Sequence, residues 1–97
     1  MKTTQTNRAF DDNGKTWNKA TLIGEGLYGV ALDRDENVVI IAPAVGGIYE
    51  ALATLGRSEA AYRDALTVAD RLDREEISET ESAIVAAYNA LVESRWN

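Results

Sequence analysis

The sequence predicts an α+β domain, a three-stranded antiparallel β-meander followed by three helices packed on one face. Two observations carry this. β-branched and aromatic runs separated by short turn segments fill the first half, whereas apolar residues at three- and four-residue spacing fill the second. Strands gathered before helices point to helices covering one face of an antiparallel sheet, not to alternating βαβ units. With 97 residues the chain can bury one core, so a single domain over 1–97 is expected. It divides into a partly ordered arm (1–14), the meander (16–42) and a helical part (43–97).

The arm is polar, with Ala9-Phe10 as its apolar pair and Asp12-Asn13-Gly14 as a turn signal. Residues 16–23 and 27–32 read as a hairpin around Gly24-Glu25-Gly26, and the polar residues 33–37 form a second turn. Val38-Val39-Ile40-Ile41-Ala42 is a buried strand that Pro43, which has no N–H, brings to an end. Ile48, Ala51, Leu52 and Leu55 have helical spacing and predict a short first helix closed by Gly56. A second helix is expected from Ser58, with Tyr62, Ala65, Leu66, Ala69 and Leu72 on its apolar stripe and Glu59–Arg63 and Asp70–Arg74 as surface pairs. Ser78-Glu79-Thr80-Glu81 fits a capping box and predicts a third helix with Ser78 as its cap and Ile84, Ala87, Tyr88 and Leu91 on one face.

Composition removes several function classes. The chain has no cysteine and no histidine, hence no disulfide, thiolate nucleophile or imidazole base, and it lacks the best ligands for transition metals. No catalytic constellation of the remaining groups stands out, and neither an enzyme nor a bound cofactor or metal is expected. The longest apolar run, residues 38–45, is far below the ~20 residues of a membrane-spanning helix. Met1-Lys2-Thr3-Thr4 leads into no apolar stretch, so no secretory signal and a cytoplasmic location are expected.

Charge is unevenly divided. Residues 1–24 hold four cations against two acids, while the remainder holds six arginines against fourteen acids, for a net charge of −6. A chain this acidic repels nucleic acid, whose binding requires a cationic face, so no direct contact with nucleic acid is expected.

Ile23-Gly24-Glu25-Gly26-Leu27-Tyr28-Gly29-Val30 resembles the glycine-rich loop of protein kinases over eight residues. In that family the loop covers ATP phosphates together with a lysine on a following strand, a catalytic aspartate and an Asp-Phe-Gly segment. None of these is present, and Ala31 stands where the kinase pattern has valine. The residues themselves read as a tight turn and a crowded strand. Ala42-Pro43-Ala44-Val45-Gly46-Gly47 lacks the spacing and lysine of a phosphate-binding Walker loop and reads as a connection.

The densest acidic segment comprises Asp70, Asp73, Glu75, Glu76, Glu79 and Glu81, interrupted by Arg71 and Arg74. One reading is a solvated connection between helices. The other is a partner-binding surface that imitates the phosphate track of DNA, extended by Glu25 and by Asp33, Asp35 and Glu36 at the two ends of the hairpin strand. The same acids lack the spacing of an EF-hand calcium loop. Among the aromatics, Tyr62 and Tyr88 read as core, and Trp17 and Trp96 as candidates for exposure.

In size, acidity and lack of catalytic groups the chain resembles small phage-encoded anti-CRISPR proteins that mimic DNA. That resemblance implies a non-enzymatic inhibitor, resident in a bacterial cytoplasm, which blocks the nucleic-acid site of a protein or ribonucleoprotein such as a CRISPR-Cas effector. The alternative is a structural or regulatory module that pairs or dimerises through apolar helix faces, using Val85, Val92 and Trp96.

Overall fold

The computed structural model describes residues 3–6, 17–44, 46 and 48–95. Among these residues five strands, β1 (Thr3–Thr6), β2 (Asn18–Ile23), β3 (Tyr28–Leu32), β4 (Val38–Pro43) and β5 (Tyr49–Thr54), precede two helices, α1 (Glu59–Asp73) and α2 (Glu81–Ser94). Every strand pairs antiparallel with its neighbour in sequence, in the order β1-β2-β3-β4-β5. The fold is therefore α+β as expected, but the predicted three strands and three helices give way to five and two.

The additional strands account for both differences. β1 lies within the predicted arm, and its Thr-Thr-Gln-Thr sequence carries no apolar alternation because it forms one exposed edge of the sheet. β5 replaces the predicted first helix over residues 48–55. The spacing of Ala51, Leu52 and Leu55 suits a helix, yet so short a helix is marginal alone, and the buried strand β4 has a second row of backbone groups to satisfy. Pairing with β5 satisfies them, extended by Leu55 N–H to Val38 O and Val38 N–H to Gly56 O, both 2.7 Å.

Both sheet faces are apolar. Ile23, Val30, Val38, Ile40 and Ala53 face the helices and meet Ala61, Ala65, Val68, Ala69, Leu72 and Ile84. Trp17, Ala20, Ala31, Val39 and Ile41 form a second cluster, consistent with the alternation of side chains along β3 and β4. Trp17, expected to be exposed, is only 5% accessible and belongs to that cluster. Tyr62 and Tyr88 are half-buried against the helix-side core, and Trp96 lies outside the described residues.

α1 begins where predicted, with Ser58 Oγ accepting from the Ala61 amide at 2.9 Å. The second helix start is displaced from the prediction. Thr80, not Ser78, caps α2 by accepting from Ala83 N–H at 3.2 Å, which puts Glu81 in the first turn and not at the reciprocal position of a capping box. α1 crosses β2, β3 and β4, and α2 packs against α1 and β5. Arg95, just after α2, forms an ion pair with the buried Asp64 of α1. Among the described residues no helix is long and apolar enough to cross a membrane.

Candidate functional site at one end of the sheet

The predicted acidic surface is divided between the two ends of β3. At the first end, residues 24–27 turn β2 into β3, with Gly24 and Gly26 at φ of 57° and 84°. The C-terminal end of α1 and the loop that follows it lie against this turn. A Cβ built on Gly24 would fall 2.6 Å from Asp73 Oδ2, which shows how near that carboxylate sits. Tyr28 Oη donates to Glu79 Oε2 at 2.7 Å, tying the start of β3 to the loop before α2. Tyr49 Oη donates to Gly26 O at 3.2 Å and holds the turn from the β5 side.

These contacts bring Asp73, Glu75 and Glu79 beside Tyr28, next to the turn that carries Glu25. The Tyr28 phenol responds to them. Its pKa is pushed up from 10.0 to about 12, first by the hydrogen bond to Glu79, then by burial and by the negative charges of Glu79, Asp73 and Glu75. Among the described residues no arginine or lysine lies within salt-bridge distance of Glu25, Asp73, Glu75 or Glu79. Leu27, at the tip of the same turn, is 57% accessible and is the one large hydrophobic residue among those described that is exposed.

Asp70 and Glu76 differ from these neighbours. Arg74 bridges both, Nη2 to Asp70 Oδ2 at 3.1 Å and Nε to Glu76 Oε2 at 3.2 Å, while Arg71 lies 3.6 Å from Glu76. Their charge is balanced within the connection, as a solvated helix junction requires. Glu81 occupies the first turn of α2, where the helix dipole favours an acid.

At the other end of β3 the carboxylate of Asp33 is engaged by its own loop. Asp33 Oδ1 accepts from the amides of Asp35 and Asn37, both at 2.9 Å, and Oδ2 accepts from Asn37 Nδ2 at 3.1 Å. Partial burial pushes this carboxyl up, but the hydrogen bonds from Asn37 and Asp35 together with nearby Arg57 outweigh it and hold the pKa below the ordinary value. Arg57 donates to the carbonyl of Asp35, and Glu36 takes φ of 65° to close the turn. Asp33, Asp35 and Glu36 therefore do not extend the surface that holds Glu25. They sit a strand's length away.

The kinase-like glycines have structural reasons. Gly24 and Gly26 supply the left-handed turn, and a Cβ on Gly29 would meet Thr21 O and Leu22 Cδ2 at 2.9 Å each. The carboxylates around this hairpin would repel a nucleotide's phosphates. Of the apolar residues assigned to a helix-mediated contact, Val85 packs against the helix-side core and Val92 is half-buried. Among the described residues no group of three acidic side chains is placed to hold a metal ion. No protein-family model matches the chain, and no curated protein or solved structure matches it.

Sequence reasoning missed Tyr28 and Leu27 as parts of this end. Glu79 lies 51 positions from Tyr28, and no local pattern announces a hydrogen bond across that separation.

Proposed function

We propose that the chain is a non-catalytic binding protein whose acidic end occupies a cationic, nucleic-acid-binding site on a partner protein. The convergence of Asp73, Glu75 and Glu79 on the β2–β3 turn, with no cation bridging them among the described residues, is the observation that carries this reading. Carboxylates grouped on a rigid turn-and-helix junction match the spaced negative charge that lysine and arginine side chains in such a site are built to hold. Leu27 beside them gives the contact an apolar anchor of the kind that charge alone does not supply. The mode of action is occlusion: the partner cannot hold its nucleic acid while the acidic end is seated. A CRISPR-Cas effector in a bacterial cytoplasm is one partner of this chemistry.

The test is capture of bacterial proteins on the immobilised chain at low salt, followed by elution with duplex DNA or RNA. A nucleic-acid-binding protein released by the competing polyanion, and no longer captured by a Glu25→Lys, Glu75→Lys variant, is the expected result. Capture that ignores both the competitor and the charge reversal would reject the reading.

A further inference from the structure

A half-open cavity of about 770 Å³ lies on the side of the molecule near the N-terminal end of α1, roughly 20 Å along that helix from the acidic end. Its size is that of a site for a small organic molecule. Lys19 of β2 contributes to its wall, as do Arg57, just before the cap of α1, and Arg63 in the first half of that helix. Arg71, Arg74 and Arg95 are bridged by acids, whereas these three cations have no carboxylate within salt-bridge distance among the described residues, Arg57 donating instead to the carbonyl of Asp35. The expected Glu59–Arg63 pair is thus not formed, although Glu59 lines the same cavity.

Backbone strain is concentrated here as well. Of the three non-glycine residues with left-handed φ among those described, Lys19 at 49° and Glu36 at 65° both line the cavity. The turn hydrogen bond from Glu36 N–H to Asp33 O accounts for Glu36. Lys19 sits in a β-bulge, where the register shifts between Asn18 and Thr21, a position that glycine or asparagine fills at lower cost. Behind it, Tyr62 Oη donates to Lys19 O and also contacts Thr21 Oγ1 at 2.7 Å, fixing the bulge against α1. A strained lysine held rigidly at the rim of a cavity is the arrangement in which strain accompanies binding.

We infer that this cavity binds a small molecule through an anionic group, phosphate or carboxylate, held by Lys19, Arg57 and Arg63. Glu36 and Glu59 on the same wall receive hydrogen-bond donors of the ligand, which excludes a bare polyanion and favours a compact molecule bearing both an anionic group and hydroxyl or amino groups. The site is separate from the acidic end, and its occupancy does not depend on the partner proposed above.

The experiment is a titration of the amide NMR spectrum at constant ionic strength, with glucose 6-phosphate as the phosphate probe, gluconate as the carboxylate probe and sodium chloride as the control. Saturable shifts at the amides of residue 19 and residues 57–63 with one of the two probes are expected, and which probe acts decides the source of the anionic group. Arg63→Gln should weaken that binding about tenfold, as the loss of one charge-assisted hydrogen bond does. Lys19→Gly should weaken it similarly while raising the melting temperature, because glycine relieves the left-handed backbone. No saturable shift with either probe overturns the inference, as does a response that Arg63→Gln leaves intact. A Lys19→Gly variant that is more stable and binds as well as the parent removes lysine from the site and overturns the role given to strain.

Discussion

At one end of β3 the turn of residues 33–37 carries three acids, and at the other the turn of residues 24–27 carries one, joined by Asp73 at the end of α1 and by Glu75 and Glu79 in the loop that follows. In the first group Asp33 is absorbed into its loop, receiving three hydrogen bonds with Arg57 beside it, while Asp35 and Glu36 take part through their backbones. In the second group Asp73, Glu75 and Glu79 share Tyr28 as a neighbour, and no cation bridges the group among the described residues. A local excess of carboxylates thus says little about availability. What decides is whether donors from the same loop reach them.

That contrast is sharpened first by Asp33→Ala, which removes three hydrogen bonds and should destabilise the fold by about 2 kcal/mol in urea unfolding. Asp73→Ala should be neutral or stabilising by a few tenths of a kcal/mol, since it removes an acid from the unfavourable end of α1 and from like charges. Equal losses from the two substitutions would erase the distinction between the ends. The pH dependence follows the same division. The folded-state pKa of Asp33 is depressed, so its contribution is present above the ordinary aspartate range and disappears as pH falls through the folded value. The acid limb of an unfolding profile should flatten in Asp33→Ala.

Next in size is the start of α2 at the acidic end. Thr80→Ala should cost about 1 kcal/mol and Ser78→Ala less than about 0.5 kcal/mol in the same measurement, because the observed cap is Thr80. A larger loss at Ser78 would restore the capping box that the sequence suggests.

The smallest effect on neutral-pH stability belongs to Glu79→Gln, within a few tenths of a kcal/mol for an exposed pair. Its signature is spectroscopic. Ultraviolet titration should place Tyr28 near 12 in the parent and nearer 10 in the variant, since the first cause of the rise is the Glu79 hydrogen bond. Because the folded value is raised, Tyr28 contributes fully below pH 10, and that contribution is lost as pH climbs from 10 to about 12. An unchanged Tyr28 titration in Glu79→Gln would mean that the loop is not held on the hairpin.

Much of the fold could be read from residues alone. The β2–β3 hairpin, the buried β4 and the Ser58 start of α1 follow from local chemistry: glycines with left-handed φ, a β-branched run ended by proline, and a hydroxyl before an apolar stripe. β1 and β5 were hidden because edge strands need not alternate, and residues 48–55 satisfy helical spacing while sheet pairing decides their state. Trp17 looked exposed for want of any view of the second apolar face. Of the candidate site, the sequence identified the acids but not their grouping, since Tyr28 and Glu79 meet only after α1 has crossed the sheet. The cations of the cavity are likewise scattered over residues 19, 57 and 63, with no common motif.

The strand order has a kinetic implication. Each strand joins the one just made, so no pairing in the sheet must wait for a distant segment of chain to arrive. Closing short loops in succession carries a small entropic barrier at each step, and the sheet should assemble faster than a Greek-key arrangement of equal size. α1 packs across β2, β3 and β4 and brings together residues far apart in the chain, so substitutions at Val68 or Ala69 should retard refolding more than those in the hairpins.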